Sequence, residues 1–161
     1  MHEPIARHWV EALRSGEYLQ GTGKLRNVQI AEPCDPLDPD AEKTATPGTR
    51  FCCLGVLCDL YAKEYPEAQW LPDKDPEELA CLFAPKFAPE NENELGQLIW
   101  LPGLVQEWAG MQSDTGVPGT DAAKDALRAK FACGALASAN DFSGATFPQL
   151  ADFIEQHWDA L

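Results

Sequence analysis

The sequence has no apolar run long enough to cross a bilayer, where about 20 residues are needed, so no membrane-spanning helix is expected. It holds six cysteines but no Cys-x-x-Cys pair, which removes the usual spacing of structural zinc sites. Histidine is scarce, with His2, His8 and His157 alone to serve as bases or ligands near neutral pH. The His-x-Glu and Pro-Cys-x-x-Cys signature of zinc deaminases is missing, and neither metal nor cofactor is expected. Positive charge is short as well: 12 Lys and Arg stand against 26 Asp and Glu, a formal net charge of −14. Such a surface repels phosphate backbones and anionic lipid heads alike, which argues against direct binding to nucleic acid or membrane.

What is present favours a folded chain. Of 161 residues, 45% are hydrophobic and five are Trp, far above what a disordered segment carries. The start, Met1-His2-Glu3-Pro4, lacks the basic and apolar stretches of a secretory signal, so the expected setting is cytoplasmic and the cysteines are read as reduced. No repeat or linker divides the sequence. The expectation is an α+β fold in a single domain, residues 1–161. It is mainly helical, with about four to five helices, a small sheet of short strands and long acidic proline-rich loops.

Local patterns place the elements. Pro4 opens a helix whose apolar stripe runs Ile5, Trp9, Val10, Ala12, Leu13, ending at Ser15-Gly16. Gly21-Thr22-Gly23-Lys24 is a glycine-punctuated turn, and Asn27-Val28-Gln29-Ile30 alternates as a short strand does. Residues 31–49, with Pro33, Pro36, Pro39 and Pro47 among Glu32, Asp35, Asp38, Asp40 and Glu42, predict an exposed acidic loop. A buried helix is expected from about Cys53 to Glu64. Further on, the pattern predicts a short helix around Glu77 to Phe83 and a buried strand at Leu98-Ile99-Trp100-Leu101. A helix opened by Pro102 follows, carrying Leu104, Val105 and Trp108. A helix beginning at Thr120 or Asp121 is expected to run through Leu127, Phe131 and Leu136 to Asn140-Asp141. Thr146-Phe147-Pro148-Gln149 has the spacing of a capping box ahead of the last helix, which buries Leu150, Phe153 and Ile154.

Three groups of residues invite chemistry. Cys53-Leu54-Gly55-Val56 resembles the nucleophile helix of papain-like cell-wall peptidases, where a helix N-terminus lowers the thiol pKa. The competing reading is a buried structural cysteine, since His8 and His157 both fall on predicted helices and no downstream strand carries a base. Lys24, Arg26 and Arg50, beside Gly21 and Gly23, form a basic island in an acidic chain, a candidate site for an anionic nucleotide-like small molecule. Asn140 and Asp141 are polar candidates on a turn.

A resemblance covers most of the chain. The stretch from Trp9 to Tyr18, Gln20 to Arg26, Phe51-Cys52-Cys53-Leu54-Gly55-Val56-Leu57-Cys58-Asp59-Leu60, Trp108-Ala109-Gly110, and Asn140-Asp141 with Phe147 and Ile154 resemble a family of small bacteriophage and prophage proteins. The resemblance implies the cytoplasm of an infected or lysogenic bacterium and no particular activity. The expected function is a non-catalytic accessory protein binding a host or anti-phage-defence protein with a basic surface, through acidic residues such as Asp35, Asp38, Asp40 and Glu42. The alternatives are a binder or sponge of an anionic small molecule at Lys24, Arg26 and Arg50, and a cysteine hydrolase using Cys53.

Overall fold

Pro4 near the helix start, Glu3 in the first turn and Arg14 in the last suit a helix at both ends of its dipole. In the computed structural model this is α1, Glu3–Arg14. The structure describes residues 1–29, 48–72, 81–85 and 99–161, with the backbone course alone for 29, 71, 72 and 81–85. Trp9 of α1 is fully buried, and its indole N–H donates to the Cys53 carbonyl at 3.0 Å. The large apolar ring is therefore buried with its polar atom satisfied.

Three short strands follow: β1 at Leu19–Gln20, β2 at Arg26–Gln29 and β3 at Gly48–Phe51. β3 is central, parallel to β1 and antiparallel to β2. It leads directly into α2, Cys53–Glu64, whose residues Cys53 to Cys58 are all buried. A helix this apolar can only lie at the centre, and α2 contacts α1 and β3 within one continuous core. Burial of Leu54, Leu57 and Leu60 contributes about 1.5–3 kcal/mol each. The entry of α2 is fixed by backbone: the Cys52 N–H donates to the Leu25 carbonyl at 3.2 Å. Gly55 lies so close to that same carbonyl that a Cβ there would overlap it.

β4, Ala68–Pro72, and β5, Cys81–Pro85, form an antiparallel ribbon whose second strand lies beside β2. The helix expected around Glu77 to Phe83 is thus corrected: residues 81–83 are strand, and 77–80 fall outside the described residues. The ladder offered by Ala68–Pro72 decides the matter, since a short apolar run reads equally as helix or strand. The strand expected at Leu98–Leu101 is not formed over 99–101. Ile99 and Trp100 are exposed, and Leu101 alone is buried, its N–H donating to the Asp114 carbonyl at 2.9 Å.

The remaining helices are α3 (Gly103–Ala109), α4 (Asp121–Phe131), α5 (Leu136–Asp141) and α6 (Phe147–His157), with a closing 3-10 turn at Trp158–Ala160. The single helix expected from Asp121 past Leu136 is broken at Ala132, which has φ +57°. Beyond it α5 restarts with the Leu136 and Ala137 N–H groups donating to the Gly116 and Thr115 carbonyls at 3.2 and 3.1 Å. Two otherwise unsatisfied helix donors are thereby paired. The capping box forms, with the Thr146 N–H donating to Gln149 Oε1 at 2.9 Å. α6 packs along α1, and Arg14 bridges to Asp152 and Glu155 at 2.6 and 2.7 Å. The fold is α+β, and among the described residues no helix is long and apolar enough to cross a membrane.

Because the α2 backbone sits directly on the Leu25 carbonyl, Gly55→Ala is expected to destabilise the protein by roughly 3 kcal/mol, read by urea unfolding. A loss below about 0.5 kcal/mol would show that α2 does not enter there.

Candidate functional site

The polar residues singled out by the sequence meet where β1 abuts α5 and α6. Gln20 of β1 donates from Nε2 to Asn140 Oδ1 at 3.0 Å and to the Ala145 carbonyl at 2.7 Å. Its Oε1 accepts the Phe147 N–H at 2.9 Å, a donor freed at the start of α6. Asn140 is 1% exposed and donates from Nδ2 to the Gly21 carbonyl at 2.8 Å and to Asp141 Oδ1 at 2.7 Å. Arg50 Nη1 donates to the Gln20 carbonyl at 3.1 Å. The Gly21 N–H continues the pairing with β3 by donating to the Phe51 carbonyl at 2.7 Å, and a Cβ at Gly21 would stand 2.8 Å from that of Arg50.

Gly21, Arg50, Asn140 and Asp141 are therefore brought together, as parts of a satisfied network. Gln20, at its centre, was missed by sequence reasoning. Its partners lie 120 to 127 residues away, and no local spacing announces such a contact.

Of the basic island expected at Lys24, Arg26 and Arg50, the two arginines do not share a face of the sheet. The register pairs Arg26 with Phe51 and Asn27 with Arg50, and the two-residue period of a strand sends Arg26 and Arg50 to opposite faces. The Arg26 guanidinium lies 5.6 Å from the Phe51 ring centroid and 5.3 Å from that of Trp70. Its Nε is buried without a hydrogen-bond partner. Asp59 completes this aromatic corner, accepting from Tyr18 Oη at 2.8 Å and Trp70 Nε1 at 3.1 Å. Gly23 lies in the turn before β2, with open space around it.

Cys52 and Cys53 are enclosed. Cys52 precedes α2 and its Sγ accepts the Gly55 N–H at 3.4 Å; burial pushes its thiol up to about 12, with the Asp141 carboxylate adding to the rise. Cys53 is fully buried, and its Sγ donates to the Leu136 carbonyl at 3.7 Å. Burial pushes this thiol well above its ordinary value, reinforced by Cys52 and Asp141. An activated nucleophile needs the opposite: access and nearby positive charge. His8 is exposed on α1, His157 packs on the Phe153 ring at 4.6 Å, and the His2 ring lies against Gly110. None of the described hydrogen bonds joins a histidine to Cys53, which lies in the core.

Asp35, Asp38, Asp40 and Glu42, the expected partner contacts, lie outside the described residues. Among the described residues, no group of three or more His, Cys, Asp or Glu is placed to hold a metal ion.

The site therefore defines an α+β domain whose chemically suggestive residues are engaged in internal contacts. Residues 40–158 match the family described as a domain of unknown function (DUF8296), and the chain belongs to that family. Neither a curated protein nor a solved structure matches it.

With its thiolate disfavoured and its sulfur enclosed, native Cys53 is expected to resist iodoacetamide from pH 7 to about 9, while half-buried Cys133 reacts. Mass mapping of labelled peptides checks this. Rapid labelling of Cys53 in the folded protein would contradict it.

Proposed function

We propose that this chain is a non-catalytic accessory protein of a phage or prophage, acting in the bacterial cytoplasm by binding a host or defence protein that carries a basic surface. The observation that carries this reading is the internal commitment of the groups that would otherwise do chemistry. Gln20 and Asn140 bond to one another, and Cys53 is sealed in the core. What the sequence offers a partner is charge. Residues 31–49 and 73–94 hold 12 acidic against 3 basic side chains, a net of −9 out of −14. The phage setting rests on the resemblance across Trp9 to Tyr18, Phe51 to Leu60 and Asn140-Asp141.

A concentrated negative field accelerates encounter with a basic partner and rejects acidic ones, and it weakens as salt screens it. The test is retention of bacterial proteins on the immobilised full chain. A discrete partner is expected at about 50 mM salt and should be largely lost at about 500 mM, where the screening length falls to a few ångströms. Neutralising the first acidic segment, with Asp35→Asn, Asp38→Asn, Asp40→Asn and Glu42→Gln together, is expected to reduce capture about tenfold. Equal capture by this variant and the natural chain, at either salt, would sink the reading.

A further inference from the structure

At the end of α2 farthest from the thiols, three aromatic rings gather at the edge of the core, Tyr61 and Trp108 packed against it. Tyr61 and Tyr65, one turn apart, stack with centroids 4.6 Å apart and planes at 27°. Trp108 of α3 meets Tyr61 edge-on at 5.4 Å and 80°. All three side chains are half-buried, so each keeps aromatic surface in contact with solvent. Exposed Glu64 and Glu67 flank Tyr65 along the chain, and exposed Glu107 precedes Trp108.

Chain adjacency sets Glu64 and Glu67 beside Tyr65, and Glu107 beside Trp108, at the end of α2 where the rings meet. Burial first, then the charges of Glu67, Glu64 and Glu107, pushes the Tyr61 phenol above its ordinary ionisation. The Tyr65 phenol rises first through a hydrogen bond to Glu64. The last carbonyls of α2 add negative partial charge at the same end. Lys63, the basic residue of that turn, is directed elsewhere: its Nζ donates to Tyr18 Oη at 2.7 Å and stands 3.3 Å from Asp59.

Aromatic faces carry a negative quadrupole, and negative charge around them raises their attraction for a cation. A guanidinium fits best, because it is planar, weakly hydrated, stacks on rings and forks to carboxylates. A second copy of this chain, at a net charge of −14, is a poor occupant.

We propose that Tyr61, Tyr65 and Trp108, ringed by Glu64, Glu67 and Glu107, form a docking surface for an arginine-bearing segment of a basic partner protein. This rests on the binding role proposed above and adds where, and by which side chain, the partner is held.

The probe is the short peptide amide Gly-Arg-Gly-Arg-Gly, titrated into the full isotope-labelled chain and followed by NMR. Saturable shifts are expected at the Trp108 indole N–H and at the backbone amides of residues 61–65, 67 and 104–109. Affinity should fall about tenfold in the triple variant Glu64→Gln, Glu67→Gln, Glu107→Gln, and by a further factor in Tyr65→Ala. The lysine counterpart of the peptide should bind several-fold more weakly. The variant neutralised at Asp35, Asp38, Asp40 and Glu42 should bind the peptide within about twofold of the natural chain. Shifts confined to residues 31–49 or 73–94, or an affinity unmoved by the Glu64, Glu67 and Glu107 changes, would overturn the surface while leaving the binding role to the capture experiment. Failure of that capture with peptide binding intact would sink the role and leave the surface standing. Glu64, Glu67 and Glu107 are exposed and Tyr65 is half-buried, and circular dichroism checks the folding of each variant.

Discussion

Asn140 is the one buried polar side chain among the described residues, and the arrangement of the strands depends on how its amide is satisfied. Both of its N–H hydrogens are donated, to the Gly21 carbonyl and to Asp141, and its oxygen accepts from Gln20. Gln20 is used as fully, with two donations and one acceptance. Leaving the buried Asn140 amide unpaired costs about 1–3 kcal/mol, and half-buried Gln20 supplies its oxygen's partner, so the two amides are held together by what their separation would leave unsatisfied. The end of α5, the start of α6 and the edge strand β1 are joined at this point. Through the β1 pairing with β3, and the Cys52 N–H on the Leu25 carbonyl, the constraint reaches the entry of α2.

That dependence explains why motifs suggestive of chemistry recur in a protein whose described thiols are not built for it. Cysteine at the start of a helix lowers its pKa when the helix end is open to solvent and a cation or base is near. Here the same position is closed by α1, α5 and β3, and Asp141 contributes charge of the wrong sign. The glycine turn at Gly21 looks like a fragment of a phosphate loop. Its carbonyl instead receives the Asn140 amide, and its missing Cβ accommodates Arg50. The sequence as a whole keeps its excess of negative charge, a net of −14, and the aromatic rings at the end of α2 add a feature that bulk charge lacks.

Elements with strong local signals were legible in the sequence. The stripe of α1, the apolar run of α2 and the capping box of α6 each express a periodicity or cap that acts within a few residues. What escaped reading depends on distant partners. β1, β3 and the β4–β5 ribbon are two to five residues long and exist through pairing. The break at Ala132 is stabilised by a second helix seated on the Thr115 and Gly116 carbonyls, which lie outside any local window. The site shows the same division. Asn140 and Gly21 were picked out as residue types suited to a turn, but their meeting across 119 positions, and Gln20 between them, follow from tertiary packing.

Gln20 and Asn140 act as one unit, and a double-mutant cycle measures that directly. Gln20→Ala, Asn140→Ala and the double variant are unfolded in urea and their stabilities compared. The expected result is a loss of about 2 kcal/mol for each single change and a coupling of about 1 kcal/mol or more, because the second truncation removes a group the first has already left unpaired. Losses that add to within about 0.3–0.5 kcal/mol would show that the two amides do not depend on each other, and would contradict the account.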